Sequence, residues 1–145
     1  MIQRIVVGTD GSAQAAKAVA WAAGLAAALK AELLLVHVFE IDPATLPGGY
    51  VVLPPEDLAR LRQDAQARLD GLWSDAARTA GARCRTMLLD GSAAGALMDM
   101  AAREQADLIV VGSRGRGGFA ELLLGSVGHH LTQHAVVPVV IVPSR

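Results

Sequence analysis

The chain has 145 residues, of which 52% are hydrophobic and 19% charged, and this length and composition predict one domain spanning residues 1–145. A net charge of −1 and 3% aromatic residues argue against a nucleic-acid partner, and the single cysteine, Cys84, excludes an intramolecular disulfide. No uninterrupted apolar stretch is long enough to span a membrane, so we expect a cytoplasmic protein without membrane contact, and we expect Cys84 to be buried in its apolar run.

Short β-rich segments alternate with helical segments in the first half of the chain. Arg4–Gly8 is the first predicted strand, and Ser12 is a favourable N-cap for an alanine-rich helix that ends at Leu29. The apolar run Glu32–Phe39 predicts a second strand covered on both faces. Residues 42–55 contain four prolines and two glycines, which predicts a long loop and a candidate lid.

The second half continues the same alternation. Glu56–Ala80 predicts one long amphipathic helix that ends at Gly81. Its apolar positions recur at steps of three and four: Leu58, Leu61, Ala65, Leu69, Leu72 and Ala76. The remaining predicted elements are a strand at Arg83–Leu89, a helix at Ala93–Glu104, a strand at Leu108–Val111, a helix at Ser126–His134 and a last strand at Val136–Val142. Strands separated by helices predict an α/β fold with a parallel sheet, in which ligands bind beyond the carboxyl ends of the strands.

A glycine-rich segment follows the fourth predicted strand. It reads Gly112-x-x-Gly115, then nine residues, then Gly125-Ser126 at the start of a helix. Glycines allow backbone amides to approach a phosphate closely, and a helix N-terminus offers unpaired N–H donors with a partial positive charge. Arg114 and Arg116 add positive charge beside the same loop, as phosphate ligands or as solvated side chains. The segment therefore predicts a site for a phosphorylated small molecule.

Two common nucleotide-binding motifs are absent from the sequence. No Gly-x-x-x-x-Gly-Lys-Ser/Thr run is present, which excludes a P-loop. The residues after the first strand, Gly8-Thr9-Asp10-Gly11, do not fit the glycine pattern of a dinucleotide-binding fold.

Asp10 is predicted to contact a ribose or a Mg²⁺ ion, with a turn aspartate as the alternative.

Several other polar residues are of types that can bind metals or take part in catalysis. His129, His130 and His134 look like a metal cluster, and His130 and His134 are one helical turn apart, a spacing that zinc sites use. No carboxylate follows at a ligand position, so an exposed or structural role is favoured. His37 is interpreted as a hydrogen-bonded core histidine. Ser126 has no acid or base placed beside it by the sequence, which argues against a hydrolase triad.

These motifs make the chain resemble the universal stress protein family, in its ATP-binding branch. The resemblance rests on the Gly112-x-x-Gly115, nine-residue, Gly125-Ser126 pattern, and it extends to the opening run Ile5–Ser12 and to the closing run Pro138–Val142. It implies a Rossmann-like, five-stranded parallel sheet ordered 3-2-1-4-5 with helices on both faces. It also implies a homodimer paired through the last strand, Val136–Val142, and a role in bacterial survival under stress.

The resemblance also implies how ATP would be held. Asp10 would lie near the ribose and phosphates, with Mg²⁺ as a bridging ion, and the backbone of Val38 would meet the adenine. The positions that would line the phosphate path are Gly112, Gly115, Gly125, Ser126 and Val127. Thr9 and Arg114, at the ends of the first and fourth strands, complete the predicted ATP-binding set. The sequence departs from the family at Gly128, where many ATP-binding members carry a hydroxyl residue.

Three functions remain open from the sequence. The leading interpretation is a regulatory ATP-binding protein whose nucleotide occupancy tunes a dimeric, partner-competent state, without catalysis. The first alternative is a slow ATPase or autophosphorylating protein, which would need a positioned base or a metal-activated water. The second alternative is a nucleotide-free dimeric interaction module, which the intact glycines disfavour.

Overall fold

Five parallel strands form the centre of the structure. The computed structural model describes residues 1–40, 53–114 and 124–144. Within these ranges the strands are β1 (Arg4–Gly8), β2 (Glu32–Phe39), β3 (Arg83–Asp90), β4 (Leu108–Gly112) and β5 (Val139–Val142), in the order β3-β2-β1-β4-β5. The helices are α1 (Ala13–Leu29), α2 (Pro55–Asp70), α3 (Asp75–Ala80), α4 (Ala93–Arg103) and α5 (Ser126–His134), with a 3-10 helix at Leu72–Ser74. The predicted parallel sheet and its order are confirmed.

The sheet separates two apolar cores because alternate strand residues point to opposite faces. One core contains Ile5, Val7 and Leu35 and packs against α1, α2 and α3. Alanines supply much of the buried surface of α1, which lets its backbone lie close to the strands. The other core contains Val6 and Ile109 and packs against α4 and α5. Coverage on both faces is why the central strands are almost wholly apolar.

The prediction of one continuous helix from Glu56 to Ala80 is wrong. The backbone leaves the helical region at Gly71, where φ is −101° and ψ is −105°, and α3 starts only after the 3-10 helix. Side chains satisfy carbonyls at the break: the Ser74 hydroxyl donates to Asp70 O at 2.9 Å, and the Arg78 guanidinium donates to Gly71 O at 2.8 Å. Two residues of the predicted apolar face are exposed instead, Leu61 by 43% and Leu72 by 73%.

The last strand is shorter than predicted. It begins at Val139 rather than Val136, and Val136 is 94% exposed. Pro138 has no N–H to donate to a ladder, so only its carbonyl joins the sheet edge, accepting from Ile109 N at 3.0 Å. Val139–Val142 pairs with β4 on one side and forms an edge of the sheet, as expected.

One further prediction is wrong, and another lies largely outside the described residues. Cys84 is half-buried on the edge strand β3 rather than fully buried, and its partial burial raises the pKa of the thiol. The predicted lid at 42–55 falls largely on residues 41–52, which lie outside the described residues. None of the helices in the described ranges is long and apolar enough to cross a membrane.

Candidate functional site

The predicted ligand edge lies where β1 and β4 end side by side. These strands pair in parallel from Ile5↔Leu108 to Val7↔Val110, and β2 and β5 extend the sheet to either side. Helix α1, which follows β1, covers one face of the sheet, and helix α4, which precedes β4, covers the other. The strand order therefore reverses between β1 and β4. Open parallel sheets bind ligands at such a switch point. The loops after β1 and β4 carry the predicted residues Thr9, Asp10 and Arg114 to this edge.

A tight turn at Thr9–Ser12 shapes the first half of the site. Thr9 N donates to Val36 O at 2.9 Å, which extends the β1–β2 ladder by one step. The Thr9 hydroxyl accepts from Gly11 N at 3.1 Å, and Asp10 Oδ1 accepts from Ser12 N at 2.9 Å. The Ser12 hydroxyl then caps α1 by accepting from Ala15 N at 3.1 Å, as predicted. Asp10 therefore has the structural role of a turn aspartate, with its carboxylate held at the end of β1.

Two aromatic rings support this turn from the side of α3. Gly11 has φ +79°, and a Cβ added to it would lie 2.3 Å from Cζ2 of Trp73. The Trp73 ring meets the His37 ring edge to face, with centroids 4.9 Å apart. His37 Nδ1 lies 2.8 Å from Thr9 O, and because a carbonyl only accepts, this nitrogen is the donor. The interpretation of His37 as a hydrogen-bonded structural histidine is confirmed.

Sequence reasoning missed Trp73 as a neighbour of the predicted site. It follows Gly71 in the 3-10 helix, and the break in the helix at this glycine is what sets the ring against Gly11. The local signal for this break is Gly71, two residues before Trp73 in the amphipathic pattern of the predicted helix. That signal does not reveal a partner more than sixty residues earlier in the chain.

The second half of the site starts at the end of β4. A Cβ added to Gly112 would lie 3.2 Å from the backbone oxygen of Gln14, so the strand end passes close to the first turn of α1. Ser113 N donates to Val142 O at 2.9 Å, and Ser113 O accepts from Gly125 N at 2.6 Å. The glycine-rich loop therefore leaves and returns at the same point. Arg114 is half-buried at its start, whereas Gly115 lies outside the described residues.

The N-terminus of α5 is the third component. Gly125 is its N-cap, with φ −71° and ψ 168°, and no side chain of the described residues caps the first turn. The first backbone amides of a helix have no intrahelical acceptor, so those of Ser126 and Val127 are available to a ligand or to water. Ser126 is exposed and Val127 is half-buried. The donor set of uncapped amides fits an anion such as a phosphate.

The departure from the family pattern at Gly128 has a packing reason. Gly128 is buried, and a Cβ at this position would lie 2.8 Å from Leu124 Cδ1 and 3.3 Å from Ile141 Cδ1. The missing side chain lets α5 lie against the end of β5. A hydroxyl residue here would have to displace Leu124, so the glycine is matched to its neighbours in this chain.

Val38 lies on β2 at the same edge of the sheet. It is two residues beyond Val36, whose carbonyl accepts the Thr9 amide, and it pairs with Leu89 of β3. Its half-buried side chain packs on the α4 face, whereas His37 is on the Trp73 face. The backbone of β2 thus runs on to Val38 two residues past the point where it accepts the Thr9 amide.

An ion-pair cluster around Glu32 and two surface cavities lie at the end of the sheet opposite the predicted ligand edge. At the opposite end of the sheet, Glu32 pairs with Arg85 and Arg4, and these guanidinium groups hold the pKa of Glu32 below its usual range. Shallow surface cavities of about 390 and 470 Å³ also lie at that end, near Lys30 and Arg83. Among the described residues, no group of three or more His, Cys, Asp or Glu side chains could hold a metal ion.

The fold and this edge define a doubly wound α/β protein with the N-terminus of α5 at the carboxyl end of its central strands. The chain belongs to the universal stress protein family, whose family model matches residues 1–143. It is 33% identical to universal stress protein YxiE of Bacillus subtilis, over 98% of this chain and 99% of that protein. It is 35% identical to a universal stress protein of Thermus aquaticus, over 98% and 99% of the two chains.

A solved structure agrees with the same family. It is the crystal structure of a universal stress protein in complex with cAMP, which superimposes on this chain with a TM-score of 0.75. The two chains are 31% identical, and the match covers 99% of this chain and 98% of the other. The family resemblance predicted from the glycine pattern is confirmed.

Proposed function

We propose that this chain is a stress-response regulatory protein that binds ATP, together with Mg²⁺, between the carboxyl ends of β1 and β4. The observation that carries the proposal is the N-terminus of α5, which no side chain of the described residues caps and which the bond from Gly125 N to Ser113 O ties to the end of β4. The amides of Ser126 and Val127 would bind phosphate oxygens. A relative that is 31% identical was crystallised with cAMP, which supports an adenine nucleotide as the ligand class.

The remaining predicted residues would complete the site. Thr9 and Asp10 present the end of β1 to the ribose and the phosphates, and the backbone of Val38 faces the base. A carboxylate beside a phosphate is repulsive unless a cation lies between them, so Mg²⁺ bound by Asp10 would bridge the two. Mg²⁺ would neutralise phosphate charge there. Gly112, Arg114 and Gly115 would shape the path of the phosphates after β4.

Nucleotide occupancy would tune a homodimer in the cytoplasm. Within the described residues the edge strand β5 pairs only with β4, and its four residues, Val139–Val142, are all apolar and half-buried. Unpaired strand edges invite a second strand, and two copies of the same edge close a two-fold dimer. Val142 O accepts from Ser113 N beside the glycine-rich loop, so this loop and the dimer edge are directly joined. Ligand binding at this loop would therefore shift the dimer population.

The experiment is titration calorimetry of the purified chain with Mg-ATP, with and without excess EDTA. One site per chain is expected. Asp10→Asn preserves an oxygen that can accept from Ser12 N but removes the charge, so it should weaken Mg-ATP binding more than metal-free ATP binding. Asp64→Asn, at an exposed position of α2, is the matched control and should bind like the native chain. No heat from the native chain at millimolar Mg-ATP would refute the proposal.

Turnover separates the regulatory function from the enzymatic alternative. Incubation with labelled ATP followed by chromatography should return ATP unchanged over hours, with no label on the protein. Steady release of ADP or labelling of the chain would instead establish the slow ATPase or autophosphorylating protein. A dimer of unchanged affinity that binds no nucleotide would establish the interaction module.

A further inference from the structure

Two histidines lie on successive turns of one face of α5, one and two turns beyond Ser126 of the proposed nucleotide site. His130 and His134 are four residues apart, which places them on the same side of a helix. Their ring centroids are 4.5 Å apart, with the planes inclined by 42°, so the two side chains converge. Both residues are exposed, and exposed imidazoles can rotate to share one ligand.

We propose that His130 and His134 form a surface site for one divalent cation of the zinc–nickel–copper class. Imidazole nitrogens bind such ions at about 2.0–2.1 Å, so two nitrogens separated by up to about 4 Å can share an ion. The observed approach of the two rings is compatible with that separation after small side-chain rotations. Two histidines at this spacing on a helix are the arrangement that zinc enzymes use for two of their ligands.

The position of the pair on the helix favours a cation. His134 is the last residue of α5, where the unpaired carbonyls give the helix end a partial negative charge. A cation bound across the last turn is stabilised by that charge. It would also hold the turn closed, including the bond from Ala135 N to Leu131 O at 2.9 Å.

The ligand count determines what kind of site this is. Among the described residues no third His, Cys, Asp or Glu joins the pair, so the other coordination positions are left to water or an external ligand. The site is therefore exchangeable rather than structural, because structural zinc sites have four protein ligands. Mg²⁺ prefers oxygen ligands and would not compete. This separates the histidine pair from the Mg²⁺ proposed at Asp10.

His129 provides a matched control. It precedes His130 on α5 and is also exposed, but it is turned by about 100° around the helix axis. His129→Gln removes the same chemical group from the same helix without touching the pair. His130→Gln and His134→Gln each remove one ligand at an exposed position, so all three variants should fold like the native chain.

The test is a titration of the tag-free protein with NiCl₂ and with ZnCl₂, followed by calorimetry. The native chain and His129→Gln should each bind one ion with equal affinity, and His130→Gln and His134→Gln should bind at least tenfold more weakly. Hydrogen exchange at residues 131–135 should slow with Ni²⁺ in the native chain and return to its original rate with EDTA. MgCl₂ should change nothing.

Three results would overturn the site. The first is no binding of Ni²⁺ or Zn²⁺ by the native chain at millimolar concentration. The second is an equal loss of affinity in His129→Gln, which would assign binding to the helix surface in general. The third is unchanged affinity in the His130→Gln/His134→Gln double variant, which would place the ion elsewhere on the chain.

Discussion

Replacing Gly11 with alanine tests how the Thr9–Ser12 turn is held. Gly11 has φ +79°, which costs a residue with a Cβ about 1–2 kcal/mol. The added Cβ would also lie 2.3 Å from Trp73 Cζ2, so the indole has to move. Overpacking of this kind costs about 1–3 kcal/mol. We therefore expect Gly11→Ala to lower the free energy of unfolding by about 2–5 kcal/mol in total.

Gly81 supplies the control for this experiment. Its φ is +72°, nearly the same as that of Gly11, but a Cβ there would meet no atom within 4 Å. Gly81→Ala should therefore lose only the backbone term of about 1–2 kcal/mol. Urea denaturation of both variants gives the two losses, and their difference isolates the contact with Trp73. Equal losses in the two variants would refute the view that Trp73 supports the turn.

Three further predictions concern the frame of the site. Ser12→Ala removes the cap on α1 and should lower the free energy of unfolding by about 1 kcal/mol in urea; an unchanged midpoint would contradict the capping role. Leu131→Ala empties a position that is 0% exposed under α5 and should cost about 2–5 kcal/mol; a loss below about 1 kcal/mol would mean that the helix re-packs. Asp107 accepts two backbone N–H bonds that hold its pKa below the usual range, so its contribution is present above about pH 4 and is lost as the pH falls through the lowered value. Asp107→Asn should therefore flatten the decline in stability below pH 4, and parallel curves for the two proteins would contradict this.

The parts of the site predicted from the sequence are those that depend on local rules. Ser12 caps α1 because a serine before an alanine-rich run favours that position, and Gly81 ends α3 with the positive φ expected of such a glycine. Asp10 makes the turn contact that its short side chain allows. The gathering of Thr9, Asp10 and the β4 loop at one edge followed from the alternation of strands and helices.

Other features depend on where the backbone hydrogen bonds stop, which the hydrophobic pattern alone does not show. The helix predicted at Glu56–Ala80 breaks at Gly71, because the Arg78 guanidinium and the Ser74 hydroxyl satisfy the carbonyls that the break exposes. Val136 falls outside the last strand although it is apolar, because Pro138 cannot donate to the ladder. At Gly71 and before Val139, the pattern of apolar residues extends beyond the residues whose backbones are hydrogen-bonded in the helix or the sheet.

The sequence by itself determined the family, the parallel α/β fold and the edge of the sheet where a ligand would bind. These follow from periodicity, glycine spacing and strand–helix alternation, which act over a few residues at a time. Only the tertiary structure decided that Trp73 lies against Gly11, that Gly128 leaves room for Leu124 and Ile141, and that the rings of His130 and His134 converge. Such contacts depend on side-chain shape and on the distance between elements once the sheet has brought them together, and no local pattern encodes that distance.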